Sequence, residues 1–271
     1  MMAFILVLVL LAAVVSVAIV LALRRRFTIH LDRLDAEIRK SSAALSWRSD
    51  LPAAVVALGE RMGARVESVP AFAVFEQTGQ MWQMPGGKPR DFTAKQIVQV
   101  GTPGFLWRAT MGPVIVADYF IAGTGGMEVM LLGAFPIARA VGGAAADQGE
   151  ILRYLVELPW CPDAILANRS LVWVVIDAKT IKVAAGAGAA RGEVTFELDD
   201  DGLIARASAP SRAYAEANGR TSARPWRGRF WDYQRIGGRL MPMQGEVAWG
   251  LETGDFVYWR GRILGWRGSR S

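Results

Sequence analysis

The stretch from Asp147 to Pro162, DQGEILRYLVELPWCP, limits the possible folds more than any other part of the chain. At about 100° per residue, Ile151, Leu152, Tyr154, Leu155, Val156 and Leu158 cover more than half of a helical circumference. Glu150, Arg153 and Glu157 share one narrow strip. A surface helix shows a narrower apolar stripe, so this helix must be wrapped by other structure. Asp147 reads as its N-cap, with Glu150 completing a capping-box-like pair, and Pro159 and Pro162 end it. Arg153 is within i,i+3 or i,i+4 reach of both carboxylates. The triplet reads as an ion-pair strip that compensates buried charge, or as the rim of a pocket.

What wraps the helix is β structure. Val69 to Phe75 reads as a strand, Thr78-Gly79 as a turn, and Met81-Trp82 as the start of the next strand. Phe92 to Val100, Gly104 to Met111, Val114 to Phe120 and Glu128 to Ile137 follow as strands, with Gly123 to Gly126 as a turn and Gly142-Gly143 as a break. After the helix, Leu171 to Ala185 is apolar, and Glu193 to Leu198 turns at Asp199 to Gly202 into a hairpin with Leu203 to Ala207. Pro210 to Pro225 reads as a long Arg-rich loop. Phe230 to Ile236, Glu246 to Glu252 and Phe256 to Ile263 finish a meander. Short turns imply antiparallel pairing. The expected fold is α+β: an N-terminal transmembrane helix, then a strongly curved antiparallel half-barrel of about ten strands around a central helix. The expected divisions are a transmembrane anchor over 1–26, a helical linker over 27–64 and the half-barrel over 65–271, with its inserted helix at 147–158.

Residues Ala3 to Leu23 are apolar except for Ser16. A helix of about 21 residues spans about 31 Å, close to the ~30 Å hydrocarbon core of a bilayer. Arg24, Arg25 and Arg26 follow at once. A cleaved signal peptide has its basic cluster on the other side, so the segment reads as one uncleaved span in the plasma (inner) membrane. The positive-inside rule puts the body on the cytoplasmic face; the alternative is a signal anchor with a periplasmic or extracellular body. Phe27 to Leu45 reads as an amphipathic helix leading out of the membrane, and Pro52 to Met62 as a short second helix.

The chemistry is sparse. One cysteine, Cys161, excludes an internal disulfide, and with one histidine, His30, far away in sequence, no His/Cys metal site and no nucleophilic triad are expected. The glycine clusters fit no phosphate-binding pattern and there is no nucleophile elbow. No cofactor, metal or catalytic residue is assigned. Asp118, Glu157, Asp163 and Asp177 lie near apolar stretches, and a hydrolase working through two carboxylates is the competing enzymatic reading. The ten tryptophans serve as core packing or line an apolar cavity, the kind of site that takes lipidic ligands. From Asp201 onward there are twelve Arg, no Lys and six acidic residues. Beside a membrane span, that balance fits contact with anionic head groups better than nucleic acid, which is not expected as a partner.

Glu150, Arg153-Tyr154-Leu155, Glu157, Trp160 and Pro162 form a motif, RYLxExxWxP at its centre, that resembles an uncharacterised bacterial family of unknown function. Gly104-Phe105, Trp107 and Ala109, Asp118-Tyr119, Trp173 with Ile176-Asp177, Pro225-Trp226 and Trp249 extend the likeness over about residues 65 to 263. Asp163 departs from the Thr common after the family's Trp-x-Pro. The family's body is similar to the half-barrel of bacterial lipoprotein carriers (LolA/LolB-like), which implies by fold analogy alone that acyl chains bind. The expected function is non-enzymatic binding of a lipid or other apolar small molecule, with a purely structural module as a further alternative. The expected ligand-binding residues are Trp107, Tyr119, Arg153, Tyr154, Glu157, Trp160, Trp173, Trp226 and Trp249, and the expected partners are membrane lipids.

Overall fold

The computed structural model of the protein describes residues 1–40, 45–65, 69–216 and 219–269. Residues 41–44 in the expected juxtamembrane helix, 66–68 ahead of the first expected strand, 217 and 218 in the expected loop, and 270–271 lie outside the described residues.

The chain opens with one helix, α1 (Met2–Lys40), and a short second one, α2 (Ala53–Arg61). Six strands follow: β1 (Phe72–Met81), β2 (Arg90–Gln99), β3 (Phe105–Met111), β4 (Val114–Ile121), β5 (Thr124–Leu131) and β6 (Phe135–Val141). Then come α3 (Ala144–Val156), a 3-10 turn at Leu158–Trp160, and α4 (Pro162–Ala167). Seven more strands complete the sheet: β7 (Val172–Val175), β8 (Thr180–Ala185), β9 (Gly192–Leu198), β10 (Ile204–Ala215), β11 (Thr221–Ile236), β12 (Arg239–Leu251) and β13 (Gly254–Ser269).

Among the described residues the strands form one curled antiparallel half-barrel in the order β6-β5-β4-β3-β2-β1-β13-β12-β11-β10-β9-β8-β7. Every neighbour in that order is a hairpin partner except β1 and β13, which join the first strand to the last from Phe72↔Ser269 to Met81↔Trp259. The two edges, β6 and β7, are consecutive strands of the chain. The connection between them has to cross from one edge of the sheet to the other, and it does so through the hollow as α3 and α4. That crossing is why α3 is apolar over most of its girth. Ile151, Leu152, Tyr154, Leu155 and Val156 are all buried, each stabilising the fold by roughly 2 kcal/mol as an upper estimate.

Among the described residues the sheet has thirteen strands where about ten are expected. Thr78-Gly79 is no turn: β1 runs through it, with Gly79 opposite both Gly261 and Phe92. The turn after β4 is Ala122-Gly123, so Gly125 and Gly126 lie inside β5. The expected strand Glu128 to Ile137 is broken at Leu132-Gly133 into β5 and β6. Most of the expected loop over 210–225 is the paired ends of β10 and β11, from Arg212↔Arg224 to Ala215↔Thr221. Asp147 does not cap α3. Gly143 takes the N-cap position without a side-chain bond, and Asp147 Oδ1 accepts the Gly125 backbone N–H at 2.7 Å.

α1 continues without a break through Arg24–Arg26, and among the described residues it alone is long and apolar enough to cross a membrane. Its second half lies on the outer face of the sheet. Phe27 and Leu31 pack over Ala117, and Ile38 packs among Phe72, Val74, Ile97, Leu106, Tyr119 and Ile121. This second apolar layer explains why β4 is buried on both faces.

Candidate functional site

A cleft of about 240 Å³ remains between the inner face of the sheet and α3. Its apolar walls are Trp107, Trp160, Trp226, Trp249 and Trp259, with Phe230, Met81 and Met127. The rings pack on one another: Trp160 meets Phe230 edge-on at 5.4 Å and Trp259 at 5.9 Å, while Trp249 stacks on Tyr258 at 5.8 Å. The indole N–H groups that this packing buries are mostly satisfied within the fold: Trp160 donates to Pro242 O at 2.8 Å, and Trp107 to Gln77 Oε1 at 2.8 Å.

One wall is charged. Asp118 on β4, Glu150 and Arg153 on α3, Glu157 at its C-cap, and Arg212 on β10 all border the cleft. Arg153 Nε donates to Glu157 Oε1 at 2.9 Å, and its NH1 donates to Asp118 Oδ2. The guanidinium lies over the rings of Phe105 (4.8 Å) and Trp107 (5.0 Å). Burial alone would lower the Arg153 pKa, but Glu157, Asp118 and Glu150 outweigh it and hold the pKa above its ordinary value. Arg212 lies 4.2 Å over Trp226 and 5.7 Å from Trp249. These are cation–π contacts that leave the guanidinium a specific place to rest.

Glu150 departs from its expected role. It pairs with Arg212 at 3.6 Å rather than with Arg153, and Asp118 takes the second place on Arg153. Burial, then the neighbouring Asp118, push the Glu150 carboxyl up to about 8. Oε2 of Glu150 and Oδ1 of Asp118 are both buried without a hydrogen-bond partner. Three carboxylates face two guanidiniums here, so a proton kept on Glu150 balances the group. Among the described residues no three His, Cys, Asp or Glu side chains gather as metal ligands would.

Of the residues singled out in the sequence, Trp107, Arg153, Glu157, Trp160, Trp226 and Trp249 converge on this cleft. The other three lie elsewhere. Tyr154 turns to the far side of α3, where its hydroxyl donates to Gln99 O at 2.9 Å and accepts from Asn168 Nδ2 at 2.8 Å. Tyr119 points to the outer face, donating to Glu128, which His30 also contacts at 2.8 Å; burial, then Glu128, push its pKa up to about 12. Trp173 packs on Phe196 at 6.4 Å, away from the cleft. Sequence reasoning misses Arg212, because its segment reads as a loop. A register shift between Ala209 and Arg212 also breaks the period-two alternation that would have turned it inward. The C-terminal arginines are largely tied across strands rather than free for head groups: Arg224 to Glu216 at 2.9 Å, Arg260 to Glu246 at 2.8 Å, and Arg227 to Asp255 at 2.5 Å.

An open antiparallel half-barrel, an internal helix laid along its hollow, and an aromatic cleft left between them define the class of protein. The chain belongs to the family of unknown function DUF6544, whose model matches residues 46–261. Among solved structures it is similar to a LolA superfamily protein from Nitrosomonas europaea, at 12% identity over 80% of this chain and 94% of that one, with a TM-score of 0.42. It is also similar to a DUF1329 family protein from Desulfovibrio piger, at 13% identity over 79% of this chain and 90% of that one, with a TM-score of 0.46. No curated protein matches it in sequence.

Proposed function

We propose that this chain binds an apolar or amphipathic ligand, of the lipid acyl class, in the aromatic cleft, without catalysis. We read its first helix as a tether to the plasma (inner) membrane. One observation supports this above the others: five indoles and the helix meant to fill the hollow leave about 240 Å³ unfilled. Protein interiors normally pack to a density of about 0.74, so a module built only for stability has no use for the space. The decisive experiment uses the full chain in vesicles carrying a lipid with a photoactivatable acyl chain. Crosslinks on peptides containing Trp107, Trp226 or Trp249 support the proposal; crosslinks confined to residues 3–23 overturn it. The run Arg24–Arg26 supports a body on the cytoplasmic face. A reporter fused after Ser271 and active only outside the cytoplasm would reverse that assignment.

A hydrolytic reading has one observation in its favour, the neighbouring carboxyls of Asp118 and Glu150 at the cleft wall with one of them raised. Against it, Asp118 Oδ1 and Glu150 Oε2 are buried, and the other oxygen of each is held by Arg153 or Arg212, so neither carboxyl presents a free oxygen to a water in the cleft. Turnover of ester or glycoside probes by the full chain, lost in E150Q, would decide for hydrolysis.

A further inference from the structure

The geometry points to the rim made by the β1–β2, β3–β4 and β5–β6 turns as a membrane-docking surface on which the cleft opens, so that its ligand passes directly between bilayer and cleft. The occupant is the lipid bilayer that takes the apolar part of α1. The opening towards lipid rests on the cleft-binding reading; the docking does not.

The argument starts at Arg24, where the apolar part of α1 ends. A Cβ on Gly133, in the β5–β6 turn, would lie 3.2 Å from Arg24 Cγ. Leu23, Arg26, Phe27 and His30 share a shallow pocket with Met130 and Ala134. The β5–β6 turn is therefore level with the end of the span. From there α1 runs down the outer face to Ile38, whose carbonyl accepts from Gln99 Nε2 at 2.7 Å at the far end of β2. Fourteen residues of helix cover about 21 Å, and the eight residues of β4 about 26 Å, so helix and sheet descend from the bilayer together. Adjacent hairpins then put the turns at 82–89 and 112–113 on the same end as 132–133.

That end is apolar where a solvated rim would be polar. Met84 is 63% exposed, Leu132 46% and Phe135 43%, and Lys88 in the same turn as Met84 and Arg90 at the start of β2 are exposed too. Exposed apolar side chains interleaved with basic ones suit the interface of an anionic bilayer. The cleft leads the same way. Met81 is the last residue of β1, Val116 the third of β4, and Trp249 and Tyr258 lie near the β12–β13 turn. At the opposite end α2 packs against α4, and Gly63 meets the Gly237-Gly238 turn, closing the hollow.

The test uses the full chain in vesicles of phosphatidylcholine with phosphatidylglycerol. Cys161 is buried and stays unlabelled, so a fluorophore is placed on M84C, L132C or, at the opposite end of β4, A122C. Lipid-borne nitroxides are expected to quench the probes at positions 84 and 132 several-fold more than the probe at 122, and aqueous iodide in the reverse order. Equal iodide quenching at all three positions overturns the proposal. P113C, in the β3–β4 turn, replaces L132C if that variant misfolds. These readouts need no ligand in the cleft, so a failure of the binding reading and a failure of docking give different results.

Discussion

Arg239 and Asp163 form a buried fork: Nε donates to Oδ2 at 2.9 Å and NH2 to Oδ1 at 2.8 Å, with the two side chains 7% and 1% exposed. The pair ties α4 to the start of β12, across the closed end of the hollow.

Breaking such a pair strands a charge in a low dielectric at a cost of about 3–5 kcal/mol, while replacing both partners by apolar groups of similar volume is often neutral. D163N and R239M are each expected to lower the thermal midpoint of the solubilised chain by roughly 10 °C. The double variant D163L/R239M is expected to recover most of the loss. A double variant no better than either single would show that the fork is not the reason these residues matter.

Glu150 makes stability depend on pH in a stated direction. Its carboxyl is raised in the folded chain, first by burial and then by Asp118, to about 8, from an ordinary value of 4.5. A raised carboxyl means the folded state holds the proton more tightly than the unfolded one. The contribution is complete below about 4.5 and is lost as pH rises through about 8. The unfolding midpoint of the wild type should therefore fall between those limits, and E150Q, which mimics the protonated form, should flatten the fall. If E150Q were less stable at every pH, the carboxylate would be ionised and committed to Arg212.

Gly79 shows where local signals mislead. In the sequence Thr78-Gly79 reads as a turn, because glycine most often marks one. In the fold a Cβ at Gly79 would lie 2.1 Å from the backbone oxygen of Arg260, so the glycine exists to let β13 approach. Nothing near residue 79 announces a strand arriving from residue 260. G79A should cost about 1–3 kcal/mol through overpacking. G265A, where nothing lies within 4 Å, should be neutral or slightly stabilising. Chemical denaturation of the two variants side by side distinguishes these outcomes.

The features legible in advance were those with a period. The girth of α3 required a wrapped helix, short turns required antiparallel pairing, and the two together required a curled sheet. Features that depend on distant partners were not legible. Glu150 chose Arg212 over the nearer Arg153, because Asp118 arrived from β4 with the better geometry. Tyr154 and Trp160 sit in one motif, yet Tyr154 bonds to Gln99 while Trp160 enters the cleft. The sequence carries the helix on to Leu158, but it ends at Val156 and the 3-10 turn at Leu158–Trp160 follows, which takes the indole to the cleft.

The tryptophans give the sharpest test of the cleft itself. Trp249 is only half-buried, at the mouth, held by Tyr214 at 5.0 Å and Tyr258 at 5.8 Å. Trp173 is buried in another part of the core, and its Nε1 has no partner. If the cleft takes acyl chains, W249A removes ligand contact at small structural cost. Acyl-lipid crosslinking should then fall about tenfold, equivalent to ~1.4 kcal/mol of binding free energy, with little change in midpoint. W173F, which also removes an unsatisfied N–H, should leave crosslinking unchanged. Equal loss of crosslinking in both variants would mean that the signal follows general stability, and the cleft would lose its claim to the ligand.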